Sequence, residues 1–473
     1  MLDGTVRPVF PPDLDTQNPI QKFISKQKKT KMKRMLLLIL TAAVGALYAQ
    51  SVEAPYEVGA WLGFRDAAVT HTFDDNDLNQ LAVAVPMFNE FGFKLTLFTL
   101  TGTGTGWRDP NWEGLQQAAA QGHEIASHTV THPNFGDISL EAQQSELEDS
   151  YNAIASNIST QTWQTLAYPY CVKGNDSLVS QYYIGARGCS GSVERTTPRD
   201  MLNISSIICG TEGAVKTATN FNSKADYAVG RNGWCVFLIH GIDDDGGWSP
   251  VESAELRAHL EYLSANPGQF WVATFGDAIR YIRERDGVSV TETASEDTVL
   301  TVQVTDTLDN AVYDHPVTVR RPVPDGWPSA IASQNGELVN SRVIEERDTL
   351  YVMFDVIPDG GDIQIIRSTD TGVRTSGRTV RTGPVLSQNY PNPFNPETKI
   401  RFQIEESTRV EAKILNARGQ EIVRLTDRIY PAGRHTLEWD GRDRNGKPVP
   451  SGVYFYQLLS DRFSEVRRMT LVR

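Results

Sequence analysis

Ala67-Ala68-Val69-Thr70-His71-Thr72-Phe73-Asp74-Asp75 (AAVTHTFDD) is the stretch on which both fold and chemistry turn. Its apolar opening and β-prone residues predict a strand over Ala67 to Phe73 that stops at two adjacent carboxylates. Like charges side by side repel unless a cation or a shared proton separates their roles. One acid is then free to bind a metal while its neighbour handles protons.

Outward from this strand, strand-like and helix-like segments alternate. Helices are predicted over Asn79 to Phe91, Trp112 to Gln121, Leu140 to Ile158, Asp176 to Tyr182, Glu252 to Ala265 and Phe275 to Arg285. Between them lie β candidates at Lys94 to Leu100, Glu124 to Ser127, Thr165 to Tyr168, Ile184 to Ala186, Ile204 to Cys209, Trp234 to Ile239 and Phe270 to Thr274. Such alternation means parallel strands with helical crossovers, as an open sheet or a barrel. In a parallel barrel functional side chains gather at the C-terminal strand ends, and Asp74, Asp75, His128, Tyr170 and His240 all fall there. The TGTGTG run at Thr101 to Gly106 lacks the spacing of a phosphate loop and reads as a surface loop.

The chain has 473 residues, which at roughly 150 residues per domain predicts about three domains. A formal net charge of −13 argues against a nucleic-acid partner, which needs clustered Lys and Arg. The basic run Lys26 to Arg34, the apolar run from Met35 and small residues before Gln50 predict a signal peptide cut after Ala49, with translation starting at Met32 or Met35. That run is short for a membrane span, so the protein is expected to be secreted or held at the cell surface, exported through the periplasm. Export puts Cys171, Cys189, Cys209 and Cys235 where disulfides form. Sequence leaves open which of them pair.

Beyond about Val288 the pattern is β. The expected organisation is a leader over 1–49, a catalytic domain over 50–287, a β-sandwich over 288–369, a linker over 370–385 and a last β-domain over 386–473. A monomer is expected.

His128-Thr129-Val130-Thr131-His132 places two imidazoles four residues apart, without the glutamate of the H-E-x-x-H protease helix. Two histidines and one carboxylate make a first shell for zinc with an open position. Asp75 is the third ligand on this reading, and Asp74 the base.

These residues resemble the polysaccharide deacetylases of carbohydrate esterase family 4, the NodB-homology domain. Thr72-Phe73-Asp74-Asp75 is similar to the first motif, His128-Thr129-Val130-Thr131-His132 to the second, Ala167-Tyr168-Pro169-Tyr170-Cys171 to the third, usually R-x-P-Y-G, and Leu238-Ile239-His240 to the last. The resemblance implies a distorted (β/α) barrel that removes acetyl groups from an acetylated polysaccharide, with Asp75, His128 and His132 on Zn²⁺ or another divalent metal. It further implies that Asp74 takes the proton of the attacking water, that the backbone N–H of Tyr170 stabilises the oxyanion, and that His240 protonates the leaving group. Ala167 stands where the family has the arginine that orients the base, and Arg187 is a substitute cation or a structural residue. Trp234 and Trp248 are candidates for a wall of the acetyl pocket or for core packing, the fourth motif being unclear. These departures keep a second reading open, a glycan-binding protein on a weakened deacetylase scaffold; a third is a hydrolase of another acyl or amide bond.

Asn389-Tyr390-Pro391-Asn392-Pro393-Phe394-Asn395-Pro396, Trp439-Asp440-Gly441, Ser451-Gly452-Val453-Tyr454-Phe455-Tyr456 and the final Arg468-Met469-Thr470-Leu471-Val472-Arg473 resemble the C-terminal sorting domain of the type IX secretion system. That resemblance implies an Ig-like sandwich over Leu386 to Arg473 and the secretion machinery as a partner.

Overall fold

The computed structural model describes residues 51–368, 385–404, 407–460 and 463–473. The leader expected over 1–49 lies outside the described residues, as does nearly all of the 370–385 linker. Among the described residues no helix is long and apolar enough to cross a membrane.

The strand Ala67–Asp74 is buried along its whole length because it lies in the middle of a parallel sheet. Trp234–Ile239 pairs along one side of it, and Thr96–Thr99 and Phe270–Val272 share the other. The path continues from Thr96–Thr99 through Glu124–Ser127 and Leu166–Ala167 to Ala186–Arg187, while Ile207–Ile208 flanks Trp234–Ile239. Arg187 also bridges Ile204 in parallel, so the two margins of the sheet curl towards each other as a distorted barrel. Alternation along the strand sends Ala68 and the Trp234 ring inward with Phe98, Ala126 and Ala167. Val69 and Phe73 face a second apolar layer with Phe88, Leu97, Phe221, Phe237 and Leu260.

Helices and strands fall close to the expected places, with two differences. The helix Ala218–Val229 is absent from the pattern reading because its buried stripe is only Phe221, Ala225 and Ala228, too small to give a strong period. A capping box between Thr217 and Asn220 starts it, which fits the preference of these residue types for helix ends. The segment before the first barrel strand also carries structure: Ser51–Val52 pairs with Ser289–Ser295, and Glu57–Val58 pairs with Val317–Pro322.

The following β-region packs directly on the barrel. Trp61, Trp271, Tyr281, Val290, Val302 and Val319 belong to one core, and the Tyr281 hydroxyl donates to the carbonyl of Gly59 at 2.7 Å. The last region is an antiparallel sandwich whose strand Phe463–Leu471 pairs with Ser341–Glu346 of the middle region, Ser341 opposite Val466 and Val343 opposite Ser464. One eight-stranded sheet therefore runs through both β-regions.

Candidate metal centre

The parallel registers bring the predicted residues to one rim. Phe73 lies opposite Ile239, Asp74 opposite Phe98 and Thr99 opposite Ser127, so Asp74, His128 and His240 leave their strands at the same level. At this level the chain turns sharply. Asp75, Asn76, Thr129 and His132 all have positive φ, between 60° and 72°, an uncommon conformation for residues with a Cβ. Neighbours hold these turns. The Asn76 amide donates to the carbonyls of Leu100 and Arg108 at 2.9 and 3.0 Å. Glu146, from the helix Leu140–Asn157, accepts from the Val130 and Thr131 amides at 2.8 and 3.0 Å and fixes the loop between the two histidines.

Asp75, His128 and His132 present ligand atoms that all lie within 4.8 Å of one another. Nε2 of His128 and of His132 stand 3.4 and 3.5 Å from Oδ1 of Asp75. That oxygen is buried with no hydrogen-bond partner among the described residues, although a buried carboxylate oxygen is normally satisfied. One shared cation among three such donors resolves the mismatch, and the donor set suits a divalent ion. The His128 ring is oriented from behind, its Nδ1 lying 2.9 Å from the carbonyl of Ala167, the usual way a second contact fixes which nitrogen faces a metal. Burial pushes the Asp75 carboxyl up, but the adjacent His128, with His240 and His132, brings it down to about 2. Burial takes His132 down to about 4.

Asp74 is clamped by an arginine. Nη1 and Nη2 of Arg187 donate to its two carboxylate oxygens at 3.0 and 2.5 Å, and Nη1 also reaches Oγ1 of Thr72 at 2.6 Å. Arg187 is 1% exposed and Asp74 2%. Burial raises the Asp74 carboxyl, yet Arg187, with His128 and His240, holds it below the ordinary carboxylate range. Ala167 and Arg187 are register partners on adjacent parallel strands, and residues so paired share a face of the sheet. The cation has thus moved one strand sideways and reaches the same carboxylate.

His240 follows its strand directly, with Nε2 3.8 Å from Oδ2 of Asp75. Burial depresses its imidazole despite the pull of Asp74 and Asp75. Gln80 ties the rim together, its side-chain amide donating to the carbonyls of Asp74 and His240. Tyr170 lies in the turn Pro169–Cys171, three residues past the short strand Leu166–Ala167, with its ring 4.6 Å from that of His132. Trp107 packs on His132 at 4.2 Å and Trp248 on His240 at 4.7 Å. These two tryptophans are 39% and 49% exposed, and they are the only exposed ones among the described residues. Trp234, in contrast, is fully buried, donates to Thr70 and packs on Phe275. It is core, not a wall of the site. Glu146, Gln80 and Trp107 carried no signal of their own in the sequence; their roles follow only from chain segments meeting in space.

The four cysteines resolve into one disulfide, Cys171–Cys189, and two buried thiols, Cys209 and Cys235, both of which burial pushes up.

A parallel α/β half-barrel thus carries at its C-terminal rim an Asp-His-His cluster that can hold a metal ion and an arginine-bound aspartate. The sequence model described as polysaccharide deacetylase matches residues 63–187, and that of the FlgD Ig-like domain matches residues 388–461. Residues 63–187 therefore carry a polysaccharide deacetylase domain, and the C-terminal region an Ig-like domain. Over 354 residues it is 30% identical to a gellan lyase from Bacillus sp, covering 70% of this chain and 14% of that protein. A 105-residue stretch is 30% identical to the YxkH protein of Bacillus subtilis (strain 168), covering 22% of this chain and 37% of that one. The chain thus spans 14% and 37% of the length of these two curated relatives. Among solved structures, a family 4 acetyl xylan esterase from Clostridium thermocellum aligns at 17% identity with a TM-score of 0.32, covering 45% of this chain and 89% of that one.

Proposed function

We propose that this protein hydrolyses N-acetyl or O-acetyl groups of a polysaccharide with the help of Zn²⁺ or a similar divalent ion. The observation that carries the reading is the division of labour at the rim. Asp75 offers an unpartnered oxygen to two imidazoles, while Asp74 is held ionised by Arg187. Asp75, His128 and His132 would hold the ion, which when bound would supply Lewis acidity to acidify water and polarise an acyl oxygen. Asp74 accepts the proton of the attacking water. The backbone N–H of Tyr170 faces the developing oxyanion. His240 gives a proton to the departing amine or alkoxide.

Arg187 supplies the cation that Ala167 lacks, which favours an active enzyme over a weakened glycan-binding scaffold. A glycan substrate is supported by Trp107 and Trp248, large apolar rings left exposed beside the site, where they can cover the face of a sugar. The test is acetate release from chitin, peptidoglycan, xylan and gellan fragments, with and without chelator. Gellan joins the panel because the 354-residue match is to a protein named for cleaving it. Acetate from at least one fragment, abolished by chelation and by His128→Ala together with bound metal, is expected. Metal retained by His128→Ala, or chain cleavage without acetate, sinks the assignment.

We further propose export, with the Ig-like region acting as a type IX sorting domain; the terminal motifs of Leu386 to Arg473 support this. A chain lacking that region should accumulate in the periplasm, and unchanged release would refute it.

A further inference from the structure

The disulfide Cys171–Cys189 sits between two pieces of the site. Cys171 follows Tyr170, the proposed oxyanion donor, and Cys189 comes two residues after Arg187. Tyr170 and Cys171 are both left-handed, with φ of 54° and 59°, a region that glycine enters freely and L-residues with a Cβ resist. Two such residues in succession do not hold themselves. Local bonds close the turn on one side, Cys171 N to the Tyr168 carbonyl at 3.0 Å and Val172 N to that of Pro169 at 3.1 Å. Across to the neighbouring segment, strand pairing ends at Ala167 opposite Arg187 and the bond from Tyr168 N to the Arg187 carbonyl at 3.1 Å. Among the described residues no backbone hydrogen bond joins 169–172 to 188–191. The disulfide, with Cα atoms 5.6 Å apart, is the next tie between them.

We propose that Cys171–Cys189 is a positioning cross-link of the site: it keeps Tyr170 in the left-handed turn that aims its N–H, and it anchors the strand end that presents Arg187 to Asp74. The proposal rests on the deacetylase reading for the roles of Tyr170 and Arg187. The cross-link does by covalent constraint what glycine at 171 would allow by conformational freedom. A disulfide whose role is only to stabilise the fold works through the unfolded chain and makes no distinction between the residues left at 171 once it is gone.

Two double variants separate the possibilities in the full chain, Cys171→Ser with Cys189→Ser, and Cys171→Gly with Cys189→Ser. The serine pair is expected to lose roughly tenfold in kcat, which corresponds to about 1.4 kcal/mol, with KM and metal content unchanged. The glycine pair should recover most of that kcat while still melting below the wild type, because glycine accommodates the left-handed backbone without restoring the link. Equal kcat in wild type and serine pair, or equal losses in the serine and glycine pairs, overturns the proposal. Amide hydrogen exchange over 168–172 and 186–190 is followed alongside. Faster exchange in both segments of the serine pair is expected, and unchanged exchange refutes the coupling. A chain that releases no acetate from any substrate would sink the deacetylase reading, while the exchange measurement still decides the cross-link.

Discussion

Replacing Arg187 with Ala removes the partner of a carboxylate that is 2% exposed. Three short contacts go at once, two to Asp74 and one to Thr72. Breaking a buried ion pair from one side leaves an uncompensated charge, typically a loss of about 3–5 kcal/mol. Part of that loss is relieved by protonating Asp74, since burial raises this carboxyl and Arg187 is the first of the charges that lower it. A protonated Asp74 cannot accept a proton from water. We therefore expect the variant to unfold at lower temperature and to lose about 100-fold or more in kcat, the usual worth of a positioned base. The acid limb of its pH–kcat profile should move upward, because activity appears only as pH rises through the pKa of the base. Arg187→Lys keeps the charge but not the two-pronged geometry, and should fall between. Adding Ala167→Arg to Arg187→Ala returns a guanidinium from the register partner on the next strand and should restore part of the rate. The assay is initial-rate acetate release across pH, paired with thermal melts. An Arg187→Ala variant with wild-type kcat, acid limb and melting temperature would falsify the idea that Arg187 orients and ionises the base.

Trp107→Ala should raise KM for an acetylated oligosaccharide roughly fivefold, the worth of about 1 kcal/mol of aromatic contact, and leave hydrolysis of a small aryl acetate unchanged; equal effects on both substrates would remove Trp107 from glycan binding. Glu124 is buried in the sheet and accepts from Thr96, Thr165 and the Gly276 amide. Burial, outweighing these donors, raises its carboxyl from 4.5 to about 7. Its folded pKa exceeds the unfolded one, so its contribution is complete below pH 4.5 and is lost as pH rises to about 7, a change on the order of 3 kcal/mol. Glu124→Gln carries no such dependence: its amide oxygen can face Thr96 and Gly276, and its NH₂ can face a turned Thr165 hydroxyl. Melts of the two proteins should diverge across that window and run parallel above it; identical pH profiles would contradict the assignment.

The central strand and the ligand set were legible in the sequence because their signals are local. A run of buried residues ending in Asp74-Asp75, and two histidines on one short loop, state their chemistry within a few positions. Arg187 was only half legible. Its partner, Asp74, is 113 residues away, and nothing in Ala186-Arg187-Gly188 tells a buried guanidinium from a surface one. The disulfide pairing was hidden for the same reason, since it depends on the strands Leu166–Ala167 and Ala186–Arg187 lying side by side. The pairing of Ser51–Val52 and Glu57–Val58 with strands of the middle β-region defeats pattern reading differently: two residues carry no period.

The sheet shared by the two β-regions bears on what happens if the tail is ever cut away. Phe463–Leu471 satisfies the outer flank of Ser341–Glu346 over Ser341, Arg342 and Val343. Without it, that strand becomes a margin with bare amides and carbonyls, a template on which another chain can add. Arg342, Glu345 and Glu346 place charges along that margin, of the kind that discourages such addition. A tail-less form is thus left with a sticky flank and charges that guard it, and its tendency to associate should rise with the salt that screens them.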